Sequence, residues 1–142
     1  METLYMETTK KEPEETSSEI IRLLKKHGLT KFLYDYEDGD IAGCIFTLRI
    51  SNKDVPIKLP IRWQALWERA RSGKTRYIKD EQQAKRVAWR QVLRWVESQL
   101  SLIELEMVDT GEVFLPYMMV SKKKTLYQHM VENDMRLIES GG

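Results

Sequence analysis

Residues 41–50 (IAGCIFTLRI) constrain the fold more than any other part of the sequence, because they form a long β-branched run between two turn signals. Asp38-Gly39 precedes the run and suits a two-residue type I′ hairpin turn, in which both residues have positive φ. Ser51-Asn52 follows the run and is a second turn signal. Every second residue from 42 to 50 is apolar, so one face of this strand is predicted to be buried.

Two shorter runs flank this strand and complete a small sheet. Residues 31–37 precede the first turn. Residues 55–61 follow the second turn, and every second residue among them is apolar. Pro56 and Pro60 cannot donate a hydrogen bond to a neighbouring strand, so residues 55–61 are predicted to lie at a sheet edge. Three consecutive strands joined by short turns predict an antiparallel meander.

The N-terminal part of the chain is interpreted as a tail followed by a helix. Residues 1–15 are polar and rich in glutamate, and they are predicted to form a flexible acidic tail. Thr16 and Glu19 have the spacing of a capping box, which predicts that the first helix begins there. Gly28 is placed to end this helix, because glycine readily adopts the left-handed conformation that often follows a helix.

The sequence after the strands is predicted to be helical. Residues 62–71 carry apolar side chains at helical spacing, and residues 79–107 carry a continuous apolar stripe. Thr125 and Gln128 have capping-box spacing and predict the start of a last short helix.

This order of elements predicts the α+β class, with an N-terminal helix, a three-stranded antiparallel meander, a long helix and short C-terminal helices. A chain of 142 residues fits one domain. Residues 16–138 are assigned to it, with the helix and meander in residues 16–61 and the helical half in residues 62–138.

Composition excludes several classes of protein. The single cysteine, Cys44, cannot form an intrachain disulfide or supply a zinc site, which is typical of a reducing compartment. No apolar run approaches the roughly 18 residues that a membrane span requires, and no secretory signal pattern is present. A cytoplasmic protein without membrane association is therefore expected. The net charge of +1 gives no overall attraction to nucleic acid.

Ser72-Gly73-Lys74-Thr75 resembles the end of a phosphate-binding loop, but its context is wrong. Such a loop needs a glycine five residues before the Gly-Lys pair and must connect a strand to a helix. Glu68 occupies that position, and its carboxylate would repel a phosphate. A turn that ends a helix is the favoured interpretation.

No other pattern predicts an active site. The acidic residues of the hairpin at 35–40 lack the ligand spacing of a calcium loop, so a solvated turn is favoured. Cys44 lies in the middle of a strand, and neither His27 nor His129 has a spacing that relates it to that thiol. We predict no catalytic residue, metal site or cofactor, and an enzyme is the least favoured functional class.

The distribution of charge is more informative than its total. Residues 62–94 contain ten basic and three acidic residues, whereas residues 97–112 contain five acidic residues and no basic one. Arg86, Arg90 and Arg94 recur every four residues, so they lie along one face of the predicted long helix.

Arginines in a row suit phosphate contacts, and a nearby aromatic ring can stack on a base. The predicted nucleic-acid surface consists of Arg76, Lys79, Arg86, Trp89, Arg90 and Arg94. Two alternatives remain open. The arginines can form a solvated face or pair with the acidic tail or the acidic segment 97–112, and the tryptophans can belong to the core.

A second candidate surface is rich in methionine and aromatic residues. It consists of Phe114, Tyr117, Met118 and Met119. Flexible apolar side chains of this kind most often belong to a core, but when exposed they suit a protein partner or self-association.

The C-terminal half also resembles a group of small, uncharacterised phage and prophage proteins. The resemblance depends on Ala88-Trp89-Arg90, on the block at residues 112–118 and on residues 124–126, and it extends over most of residues 18–130. It implies an intracellular phage setting, with nucleic-acid processing or interaction with a host factor as contexts. It implies no catalytic residues.

The leading hypothesis is a non-enzymatic accessory protein that contacts DNA or RNA through the basic helical surface. The alternative is a protein-binding adaptor or inhibitor of a host or phage enzyme, and a homo-oligomer is compatible with both. Exposed arginines beside an exposed Trp89 would favour nucleic acid. Arginines engaged by the carboxylates of segment 97–112, with an exposed patch of Met118 and Met119, would favour a protein partner.

Overall fold

The computed structural model of the protein describes residues 5–135 and confirms the α+β class. The elements in chain order are α1 (Pro13–Lys25), β1 (Leu29–Glu37), β2 (Asp40–Ile50), β3 (Lys53–Pro60), α2 (Trp63–Arg71), α3 (Glu81–Glu104), α4 (Thr110–Phe114), a 3-10 helix (Leu115–Tyr117) and α5 (Leu126–Glu132). The predicted N-terminal helix, meander, long helix and short C-terminal helices are therefore all present.

The three strands form one antiparallel sheet in the order β1-β2-β3. Asp38 and Gly39 both have positive φ, 50° and 83°, as the predicted type I′ turn requires. Ser51 and Asn52 form the second turn and also have positive φ. The strand β3 lies at an edge of the sheet, which confirms the interpretation of its two prolines.

The core lies between one face of the sheet and the helix α3. Cys44, Phe46 and Leu48 on β2 are buried, as their alternation predicts. Phe46 packs edge-on against Phe114, with 5.7 Å between ring centroids. Burial of these aromatic rings joins the meander to the helical half in one hydrophobic core.

Two helix boundaries differ from the sequence-based expectation. The helix α1 begins at Pro13, because Glu12 and Glu15 form the capping box that was assigned to Thr16 and Glu19. Thr16 is instead buried within the helix.

The helix α3 is shorter than the predicted span of residues 79–107. The Asp80 side chain accepts a hydrogen bond from the Gln83 backbone at its start. Glu106, with φ of 59°, lies just beyond its end. The predicted capping box of Thr125 and Gln128 at the start of α5 is confirmed.

The long helix α3 is flanked by two other helices. The helix α1 runs along it in the same direction, since Glu12 contacts Arg86 near one end and His27 contacts Glu104 at the other. The helix α2 packs against α3 on another side. The segment that precedes α1 also lies against α3, and this placement determines which basic residues are exposed.

Candidate binding surfaces

The arginine row of α3 is largely occupied by carboxylates of the N-terminal part of the chain. Arg86 Nε donates a hydrogen bond to Glu12 Oε1 at 2.8 Å. Arg90 pairs with Glu19, and its side chain is only 12% exposed. Arg94, the third member of the row, is exposed. The prediction that all three form one exposed basic face is therefore corrected, because α1 covers two of them.

Trp89 is a core residue, so its predicted role in stacking on a base is corrected as well. Its side chain is 1% exposed, and its ring packs edge-on against Tyr34 at 6.1 Å. A helix turns by about 100° per residue, so Trp89 faces the sheet while its neighbour Arg90 faces α1. Trp63 is also buried, under the ammonium group of Lys85 at 4.7 Å from its ring centroid.

The segment before α1, predicted as a flexible tail, is anchored to the start of α3 and to the preceding loop. Glu7 is 1% exposed, and its carboxylate accepts hydrogen bonds from the backbone N–H groups of Arg76 and Tyr77 at 2.7 and 3.0 Å. The Gln83 side chain donates to the carbonyl oxygens of Glu7 and Thr9. These bonds fix the acidic segment against the region that carries most of the basic residues.

A cluster of basic residues remains exposed where α2 turns into α3. We name it the turn patch, and it consists of Arg69, Lys74, Arg76 and Lys79. Within residues 5–135 none of its side chains forms an ion pair, whereas neighbouring Arg71 is paired with Glu68. The turn patch therefore contains two of the residues predicted for nucleic-acid binding, Arg76 and Lys79.

Two exposed tyrosines lie beside arginines at this side of the molecule. The Tyr77 ring is 42% exposed, with the Arg76 guanidinium 5.5 Å from its centroid. The Tyr5 ring is 44% exposed, with the Arg94 guanidinium at 5.8 Å. Gln91 holds Tyr5 on α3 through a hydrogen bond of 2.7 Å to its carbonyl oxygen. Tyr77 and Tyr5, and not the buried Trp89, are thus exposed rings beside these arginines.

The predicted protein-interaction cluster is divided between core and surface. Phe114 is fully buried, so its assignment to an exposed surface is corrected. Tyr117, Met118 and Met119 are partly exposed. The Met119 N–H donates to the Pro56 carbonyl at 2.9 Å, so this segment covers part of the edge strand β3.

An apolar groove of about 350 Å³ opens between β3, α2, α3 and the 3-10 helix. Its apolar walls include Leu59, Pro60, Leu66, Val92, Trp95 and Tyr117, and its polar lining includes Arg62 and Gln91. The sequence analysis did not predict this groove. The signal was the difference in helix length, since the nine-residue α2 cannot cover a 24-residue α3.

The residues considered for nucleophilic or metal chemistry do not gather into a metal-binding group in the described part of the chain. Within residues 5–135 no three His, Cys, Asp or Glu side chains are close enough to hold a metal ion. Burial, and to a smaller extent the charge of Asp35, raise the pKa of Cys44 to about 12, so this thiol stays protonated at neutral pH. Gly73, with φ of 78°, follows the end of α2, as expected of a helix-ending turn.

Across residues 5–135 no helix is long and apolar enough to cross a membrane. Comparisons of the chain with protein-family models, with curated proteins and with solved structures found no match.

Proposed function

We propose that this chain is a non-enzymatic accessory protein of phage type, acting in the cytoplasm, that binds nucleic acid through the turn patch. The observation that supports the proposal is the concentration of four exposed cations in the α2–α3 turn, without ion pairs in the described part of the chain. Arg94 extends this basic surface along α3, next to Tyr5.

Phosphate contacts would provide most of the affinity. Lysine and arginine side chains that neutralise phosphates release condensed counterions, so such binding weakens steeply as the salt concentration rises. Contacts to the phosphate backbone carry little sequence information. We therefore expect the turn patch to bind many sequences with similar affinity.

The exposed tyrosines favour single strands over duplexes. Unpaired bases stack on exposed aromatic rings, whereas the bases of a duplex are already stacked on one another. Tyr77 lies within the turn patch, and Tyr5 lies beside Arg94. Each tyrosine ring is partly exposed and also contacts an arginine. That arginine can bind the phosphate next to a base that stacks on the ring.

The proposal is tested by fluorescence anisotropy of labelled single- and double-stranded DNA and RNA at low and moderate salt. The double variant Arg76→Glu/Lys79→Glu reverses two charges of the turn patch and is expected to raise Kd about tenfold or more. The matched control is Lys122→Glu/Lys123→Glu, which makes the same change in charge at two exposed lysines of another loop. The control is expected to change Kd less than the patch variant does.

The patch variant keeps the backbone hydrogen bond that anchors Glu7. Arg76 contributes its backbone N–H to Glu7, so changing its side chain leaves that bond intact. Lys79 precedes the N-terminus of α3, where a negative charge is favourable. Reversing Arg90, in contrast, would place a carboxylate against Glu19. Equal affinities of wild type, patch variant and control would refute the assignment of the turn patch.

A protein-binding role, as an adaptor or inhibitor, is the second candidate. The observation that favours it is the open apolar groove, since a chain usually buries a concave apolar surface unless a ligand or partner uses it. Immobilised wild type and Leu66→Trp, which fills the groove, are compared in a pull-down. A partner that uses the groove is retained by the wild type alone.

A further inference from the structure

The groove between β3, α2 and α3 is already formed in the absence of any partner. Trp95 is held in place by edge-on ring contacts with Phe114 at 5.8 Å and with Tyr117 at 5.6 Å. Leu66 and Val92 project from two helices that pack on each other. A partner that enters would therefore not have to order these walls, and this reduces the entropic cost of binding.

The polar part of the groove has one sign of charge. Arg62 lines the groove and also a smaller hollow beside it, which Lys58 lines as well. Among residues 5–135, no carboxylate lines either space. Lys58 is paired with Asp35 at 3.4 Å, but Arg62 forms no ion pair within residues 5–135. Arg62 is thus the cation that this groove offers to a ligand.

We propose that the groove binds an acidic segment of a partner protein, which inserts one bulky apolar side chain and places a carboxylate against Arg62. A volume of about 350 Å³ accommodates a phenylalanine or leucine side chain together with adjoining backbone. The guanidinium group of arginine binds a carboxylate through two parallel hydrogen bonds, which fixes the orientation of the segment. This inference rests on the second candidate function and is independent of nucleic-acid binding.

The test uses three synthetic peptides with blocked ends: Gly-Glu-Glu-Phe-Glu-Glu-Gly, its analogue with lysine in place of every glutamate, and its analogue with alanine in place of phenylalanine. Each is titrated into the ¹⁵N-labelled protein while amide and indole chemical shifts are recorded. We expect saturable shifts at Leu66, Val92 and the Trp95 indole with the first peptide. The lysine and alanine analogues are each expected to bind about tenfold more weakly or worse.

Variants connect the binding to the groove. Arg62→Glu, at an exposed position before α2, is expected to reverse the preference between the glutamate and lysine peptides. Leu66→Trp fills the groove and is expected to abolish the shifts. Arg22→Glu makes the same charge reversal at an exposed position on α1 outside the groove, and we expect it to leave peptide affinity within about twofold of wild type.

Several results would overturn the inference. These are an absence of saturable shifts with the glutamate peptide, equal affinity for the glutamate and lysine peptides, or an unchanged preference in Arg62→Glu. A protein partner that wild type and Leu66→Trp retain equally would preserve the protein-binding role while removing it from the groove. Failure of the inference is in this way distinguished from failure of the proposed function.

Discussion

The two flanks of α3 use basic residues in different ways. On the α1 flank, Arg86 and Arg90 are engaged by Glu12 and Glu19, and they connect two helices. On the α2 side, the cations of the turn patch and Arg62 are exposed. The difference shows that a count of charges along a sequence does not distinguish cations that hold the fold from cations that are accessible to a ligand.

The largest expected difference between the flanks is in stability. Arg90→Ala removes a largely buried guanidinium group and leaves the Glu19 carboxylate without its partner. We expect a loss of about 2 kcal/mol in the free energy of unfolding. Arg94→Ala removes an exposed cation that contacts only the Tyr5 ring among the described contacts, so a loss of about 0.5 kcal/mol is expected. Urea denaturation of the two variants measures both values. Equal losses would remove the distinction between a structural and an accessible arginine.

The anchored carboxylate of the N-terminal segment provides a second, smaller test. Glu7→Gln replaces a charged acceptor by a neutral one at the Arg76 and Tyr77 backbone, and about 1 kcal/mol of stability is expected to be lost. We also expect faster hydrogen exchange at those two amides. Glu97→Gln, at an exposed site on α3, is the control and is expected to change neither quantity. Unchanged exchange at Arg76 and Tyr77 in Glu7→Gln would contradict the role of this carboxylate.

A third test concerns the accessible flank and separates stacking from charge. Tyr77→Ala removes an exposed ring but no charge, and it is expected to weaken single-stranded binding by about 1 kcal/mol while changing duplex binding less. Anisotropy titrations with the single-stranded and the duplex form of one DNA sequence give the two dissociation constants to compare. Tyr127→Ala, which removes a similarly exposed tyrosine ring from α5, should have no effect. A similar loss for both nucleic acids would show that the ring only positions Arg76.

The local features of this fold could be predicted from the sequence, whereas its long-range pairings could only be left open as alternatives. Pairing of the arginines with the acidic residues 1–15 was one such alternative, and Arg86 with Glu12 realises it. Turn residues and strand alternation predict the meander because each signal acts within a few residues. The apolar stripe correctly indicates that α3 is an amphipathic helix. The partner of an arginine on its polar face depends instead on which element packs there, as with Glu12 and Arg86, which lie 74 positions apart.

The candidate sites show the same limit. Trp89 was grouped with the arginines because it is their neighbour in sequence, although the helical rotation directs it into the core. The groove was missed because, besides the lengths of α2 and α3, it depends on how these helices pack together and on the position of the 3-10 helix, which a pattern of residue types does not encode. Arg76 and Lys79 were selected for their basic charge, and both are exposed because they lie in the loop between α2 and α3.

The docking of the N-terminal segment also has a consequence for the order in which the molecule assembles. The strands of the meander are neighbours in sequence, so they can pair early at little cost in chain entropy. The bonds from Gln83 to Glu7 and Thr9 join positions 76 and 74 residues apart and close much larger loops. We therefore expect this segment to dock late in folding and to detach first during partial unfolding. Its detachment would uncover Arg86, so the cations accessible to a polyanion would differ between the native state and the partially opened state.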